Sequence, residues 1–85
     1  MKLLVRNTVK DYDTWKPIFE EELNRARTFG LELENLWRSV DDPNEVFFIF
    51  GLESREGAEK FMADPDSAKA GERSGAVDGA AWFVE

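Results

Sequence analysis

Five bulky apolar side chains follow one another at Val46-Phe47-Phe48-Ile49-Phe50, just after the turn signal Asp41-Asp42-Pro43-Asn44. A strand directs successive side chains to opposite faces, so a half-exposed strand alternates apolar with polar residues. This one does not alternate, and both of its faces must be covered. In a chain of 85 residues, one layer of helices covers one face of a sheet and the other face needs a second body. The body nearest to hand is another copy of the same chain.

The length allows one domain, residues 1–85, and no second core. A chain this small buries only about 60% of the surface its unfolded form exposes, so self-association adds materially to its stability. Eleven aromatic residues and 42% hydrophobic content argue for a folded globule. A net charge of −7 argues against nucleic acid and anionic membrane as partners, since both select a basic patch. No apolar run approaches the ~18 residues of a membrane span. Met1 to Val5 begins like a leader but meets Arg6 and Asn7 too soon for its apolar core. A cytoplasmic location is the expectation.

The chain has no histidine and no cysteine. That removes the commonest general base and the usual ligands of zinc and haem. Carboxylates alone can bind a hard cation, but no EF-hand-like spacing occurs. No metal and no cofactor are expected.

Leu3 to Val9 reads as a strand, with Leu3, Val5, Asn7 and Val9 on one face. Asp11 or Asp13 then caps a helix whose apolar stripe is Trp15, Ile18, Phe19, Leu23, Ala26 and Phe29. Pro17 predicts a kink in its first turns, and Gly30 ends it. Leu31 to Val40 is the second strand, with Leu31, Leu33, Asn35 and Trp37 on one face by strict alternation. It forms a hairpin with Glu45 to Leu52. Ser54 caps a second helix with Ala58, Phe61 and Met62 inward, and Asp64-Pro65 stops it, with room for a restarted turn. Asp66 to Gly79 is small and polar, with glycines at 71, 75 and 79, and predicts a poorly ordered lid or arm. Ala80 to Glu85 closes the chain as a last strand carrying Trp82 and Phe83.

The order β-α-β-β-α-β predicts an α+β fold of ferredoxin-like type, an antiparallel sheet with its helices on one face. The usual strand order, 4-1-3-2, puts the all-apolar third strand in the interior.

The stretch Val9-Lys10-Asp11-Tyr12-Asp13-Thr14-Trp15-Lys16-Pro17-Ile18-Phe19 extends this reading. With Arg38-Ser39, Asp41 to Val46 and the Ala58–Phe61 helix, it resembles the dimeric α+β barrel proteins of the antibiotic-biosynthesis monooxygenase and polyketide cyclase-like families. The resemblance covers roughly residues 3–65. It implies a homodimer in which two sheets pack face to face as a barrel. It does not fix an activity, because that superfamily hosts cofactor-free oxygenases, cyclases and haem enzymes. Relatives often carry histidine where this chain has Asn7, and again near Glu22; a function resting on those histidines has no counterpart here.

Candidate ligand-binding residues are Asn7, Tyr12, Trp15, Asn35, Trp37 and Trp82. Asn7 and Asn35 interrupt apolar strand faces, and buried amides need partners. They offer hydrogen bonds to a ligand about 10 Å across, two inter-strand steps apart; alternatively they bond local backbone or water. Tyr12 and the three tryptophans have the composition of a pocket with polar tips, and equally that of ordinary core. Arg6 and Arg38, opposite in parity to the asparagines, are expected to pair with Glu32 and Glu34. The Glu20-Glu21-Glu22 run is expected to be a solvated helix face.

Three functional readings follow. The first is a homodimer binding a small aromatic or apolar molecule between sheet and helices. The second, implied by the resemblance, is a cofactor-independent monooxygenase or cyclase acting on an aromatic or polyketide-like compound. There Asn7 and Asn35 would donate to an oxyanion and Tyr12 would relay a proton. The third is a non-catalytic association module with a filled core.

Overall fold

A computed structural model describes residues 1–85. The elements run β1 (Lys2–Val9), α1 (Tyr12–Thr28), β2 (Leu31–Arg38), β3 (Glu45–Leu52), α2 (Arg55–Ala63), α3 (Pro65–Ser74) and β4 (Ala76–Val84). The sheet order is β2-β3-β1-β4 with every neighbouring pair antiparallel. This is the expected 4-1-3-2 order read from the other edge, so β3 lies inside the sheet. The fold is ferredoxin-like α+β, with one helix more than the sequence reading had.

Local chemistry accounts for the helix boundaries. Asp11 caps α1 in an extended conformation, its Oδ2 accepting from Thr14 N at 3.0 Å. Asp13 therefore sits in the first turn, where the helix dipole favours a negative charge. The helix continues through Pro17 and ends with Gly30 at φ 84°. Ser54 Oγ accepts from Gly57 N at 3.0 Å to start α2. Gly57 is there for space as well: a Cβ on it would stand 2.3 Å from the carbonyl oxygen of Phe29.

Residues 66–79 depart from the expectation of disorder. Asp64 Oδ1 accepts from Asp66 N at 2.8 Å, Pro65 fills the first helical position, and Gly75 closes α3 in the left-handed conformation at φ 83°. The glycines at 71 and 75 thus belong to a helix and its cap. The last strand starts at Ala76 rather than Ala80. Two smaller differences concern β2, which stops at Arg38 because Ser39 enters the turn that its Oγ organises, and Met62, which is exposed.

The core lies between the helices and one face of the sheet. Trp15 stacks on Phe19 at 4.5 Å between ring centroids, and Phe48 meets Phe19 at 4.7 Å and Phe50 at 5.6 Å. Val46, Phe48 and Phe50 are buried on this face, each large side chain stabilising the fold by about 1.5–3 kcal/mol. Phe47 and Ile49 point to the opposite face, which no helix covers.

Two register shifts decide what else shares that open face. Leu33 pairs with Phe50 but Asn35 pairs with Ile49, so Glu34 is an extra residue in β2. A bulge of this kind flips the alternation downstream. Asn35 and Trp37 therefore join Ile49 and Phe47 on the open face, while Leu36 and Arg38 join Phe48 and Val46 beneath the helices. In β4 the extra residue is Val77, after which Trp82 pairs with Leu4 on the open face.

Candidate functional site

The helix layer leaves a cavity of about 140 Å³ above the sheet, walled by α1, α3 and the floor strands. Trp15, Phe19, Phe48, Phe50 and Phe61 supply aromatic walls, with Ile18, Leu23, Ala26, Ala70 and Ala76 completing the apolar lining. Polar groups reach it from Asn7, Glu22, Ser67 and Ser74, and Gly71 leaves the α3 wall bare.

The polar groups differ in availability. Ser67 Oγ donates to the Phe61 carbonyl and accepts from Arg25, and Ser74 Oγ donates to the Gly71 carbonyl at 2.9 Å. Both hydroxyl protons are therefore committed. The Asn7 carboxamide makes no side-chain hydrogen bond within the chain; it lies against Gly79, whose added Cβ would come within 2.5 Å of its Oδ1. Glu22 Oε2 accepts from Arg25 Nε at 3.0 Å, and its Oε1 has no partner.

Arg25 clasps the outer helices to α1. Besides Glu22 and Ser67, its guanidinium faces Asp64 Oδ2 at 3.5 Å and lies 4.9 Å from the Phe61 ring centroid and 5.7 Å from that of Phe29. Its Nη1 is buried without a hydrogen bond. One guanidinium thus stands between two carboxylates at the rim of the cavity.

Of the six candidate ligand residues, the cavity brings together only Asn7 and Trp15. Trp15 is 2% exposed and packs in the core as well as forming the wall. Asn35, Trp37 and Trp82 lie on the open face of the sheet because of the two bulges, so Asn7 and Asn35 sit on opposite faces and do not span a ligand. Tyr12 lies outside the cavity, its ring 3.9 Å from the Arg38 guanidinium and 5.8 Å from Trp15, with its backbone N–H donating to Asn44 Oδ1.

The expected pairing of Arg6 and Arg38 with Glu32 and Glu34 does not form. Arg6 bonds Glu45 at 2.8 Å and approaches Asp78 at 3.7 Å; Glu34 pairs with Lys2, and Glu32 with Arg27 at 3.4 Å. The hydrogen bond to Glu45, above all, holds the Arg6 pKa above its already high ordinary value, against the opposing effect of desolvation. Glu22 leaves the solvated acidic run and turns to the cavity.

The residues that the sequence reading missed are Arg25 and the α3 set Ser67, Ala70, Gly71 and Ser74. Their spacing of three, four and seven is a helical stripe, and it follows a capping Asp and a first-position Pro. The signal was present but carried by small residues.

A second hollow, about 370 Å³, lies at the end of the sheet among Lys2, Arg27, Glu32, Glu34 and Glu53. It is wider but polar, and two of its carboxylates are taken up by Lys2 and Arg27. No group of three or more Asp and Glu is arranged to hold a metal ion. No helix is long and apolar enough to cross a membrane.

No family model matches the sequence, and no curated protein matches it. Solved structures do. A crystal structure of an antibiotic biosynthesis monooxygenase matches with TM-score 0.74 and 17% identity over 99% of this chain and 95% of that one. A variant of SnoaB, a cofactor-independent oxygenase from Streptomyces nogalater, matches with TM-score 0.73 and 15% identity over 98% and 90%. An uncharacterized NIPSNAP domain protein from Burkholderia xenovorans matches with TM-score 0.66 and 17% identity over 100% and 93%. At these identities it is the backbone arrangement that is shared. The chain has the fold of the antibiotic-biosynthesis monooxygenase-like proteins.

Proposed function

We propose that the chain forms a homodimer through its open sheet face and binds a small aromatic or apolar molecule in the cavity between sheet and helices. The cavity carries the reading: an apolar, aromatic-walled space with a few polar groups, one of them an amide without a partner. That is the composition of small-molecule sites. Its size limits the ligand, since drug-sized molecules occupy about 300–1,000 Å³ and this cavity offers about 140 Å³.

The dimer reading rests on the other face. Leu4, Trp37, Phe47, Ile49, Trp82 and Val84 share it, with Trp37 and Trp82 each 49% exposed. Four strands of eight or nine residues present roughly 500 Å² in projection. Once side-chain relief is counted, this is of the order of the ~800 Å² per partner that stable interfaces bury.

The test is an NMR titration of the protein with single-ring compounds such as phenol and toluene, repeated on Gly71→Leu. Gly71 lines the cavity and an added Cβ there has open space, so leucine grows into the ligand's volume. Saturable shifts at lining residues, lost in the variant, are expected; no shift with any ring compound overturns the reading. Light scattering at twice 9.8 kDa tests the dimer, and a monomer at micromolar concentration refutes it.

A cofactor-independent oxygenase is the second reading, favoured by the fold shared with SnoaB. Of the parts such chemistry needs, Asn7 is available as a donor to an oxyanion and Glu22 is the one titratable side chain in the lining. Oxygen uptake with a panel of quinols tests it, with Asn7→Ala and Glu22→Gln expected to lose turnover. No uptake by the wild-type chain refutes it.

A further inference from the structure

Within the ligand-binding reading, on which this step rests, we infer that the cavity selects single-ring compounds carrying an uncharged O–H or N–H donor. Phenols and anilines belong to this class; aromatic carboxylates and fused tricyclic compounds do not.

Size is the first argument. The cavity holds about 140 Å³, close to the ~150 Å³ of an engineered apolar cavity that binds benzene. One ring fills it. Three fused rings exceed its volume.

The second argument is the hydrogen-bonding inventory. With the Ser67 and Ser74 protons committed to backbone carbonyls, the unpaired groups are the Asn7 carboxamide and Glu22 Oε1. A carboxylate is acceptor-only, so it can be satisfied only by a ligand that donates. Glu22 is about a fifth exposed, so water serves that oxygen in the free protein. A bare hydrocarbon ring fills the same volume and displaces the water without replacing its hydrogen bond, which is unfavourable.

Charge is the third. Arg25 is the one cation at this rim, and it is flanked by Glu22 at 3.0 Å and Asp64 at 3.5 Å. The trio carries a net negative charge. An anionic ligand therefore meets repulsion with no free guanidinium to receive it.

Phenol, toluene, benzoate and anthrone, titrated separately into the wild-type protein and followed by amide NMR, separate these terms. Phenol is expected to bind at least about tenfold more tightly than toluene, with benzoate and anthrone giving no saturable shift at lining residues. Glu22→Gln keeps an oxygen for Arg25 but removes the charge, so benzoate should begin to give saturable shifts, its affinity rising by at least about tenfold. Toluene binding as tightly as phenol, saturable binding of benzoate or anthrone by the wild-type protein, or no gain in benzoate binding by a folded Glu22→Gln variant would each overturn the ligand class. Each of those results leaves the cavity's role as a binding site standing. Silence from all four compounds overturns both.

Discussion

Asn7 and Gly79 face each other across β1 and β4 so closely that a Cβ on the glycine would stand 2.5 Å from Asn7 Oδ1 and 3.0 Å from the Arg6 carbonyl oxygen. The amide keeps its place beside the cavity because residue 79 has no side chain. Gly79→Ala should displace the carboxamide into the space a ligand needs and cost about 1–3 kcal/mol in overpacking. Phenol affinity is expected to fall at least fivefold in a protein that still folds. Unchanged affinity and an unchanged melting temperature would show that Asn7 has another place to go.

The two faces of β3 should fail differently. Phe48 is 5% exposed among Trp15, Phe19 and Phe50, so Phe48→Asp buries an unpaired charge and removes packing worth about 3–5 kcal/mol. Loss of the folded state by circular dichroism is expected. Phe47→Asp touches only the open face, and the chain should stay folded while light scattering drops from dimer to monomer. A folded, dimeric Phe47→Asp protein would count against that face as the interface.

Gly71 lies within α3 with nothing within 4 Å of an added Cβ. Gly71→Ala should stabilise by about 1 kcal/mol through helix propensity. For a domain of this size that raises the melting temperature by about 4–8 °C. A scan that shows no rise would mean that α3 does not limit global stability.

Arg25 holds α3 through Ser67 and Asp64 while its guanidinium lies over the Phe61 and Phe29 rings. Arg25→Met keeps the packing and removes the donors. Breaking a fully buried pair costs about 3–5 kcal/mol, but these side chains retain about a quarter of their exposure, and the orphaned Nη1 is itself a cost that methionine removes. A loss of about 1–2 kcal/mol is expected. It should register as faster amide exchange in α3 than in β1 and β3. Uniform exchange changes across the sheet would argue that Arg25 supports the whole fold instead of one helix.

What was legible in the sequence follows from periodicity. The run Val46 to Phe50 announced a strand inside the sheet, and the Trp15–Phe19–Ala26 stripe announced the helix above one of its faces. The sheet order and fold class came from the succession of these patterns. Half of the site did not, for two physical reasons. Strict alternation assumes an unbroken ladder, and neither Glu34 nor Val77 has a chemistry that marks a bulge. Asn35 and Trp37 were therefore assigned to the wrong side, and Trp82, in a strand read only from Ala80 onward, was counted with the pocket without a face being fixed. The cavity wall from α3 was hidden because Ser, Ala and Gly carry little hydrophobic signal, although their spacing and the Asp64-Pro65 start were in view.

The bulge at Glu34 has an effect on how this chain tolerates change in length. With Glu34 in place, the outer half of β2 shows Leu36 to the helices and Trp37 to the open face. Removing that one residue restores a regular ladder and leaves both where they are, since Asn35, Leu36 and Trp37 keep Ile49, Phe48 and Phe47 as partners. A single-codon deletion at Glu34 is thus absorbed in place, whereas the same loss in the unbroken ladder of β1 and β3 turns the rest of the strand inside out.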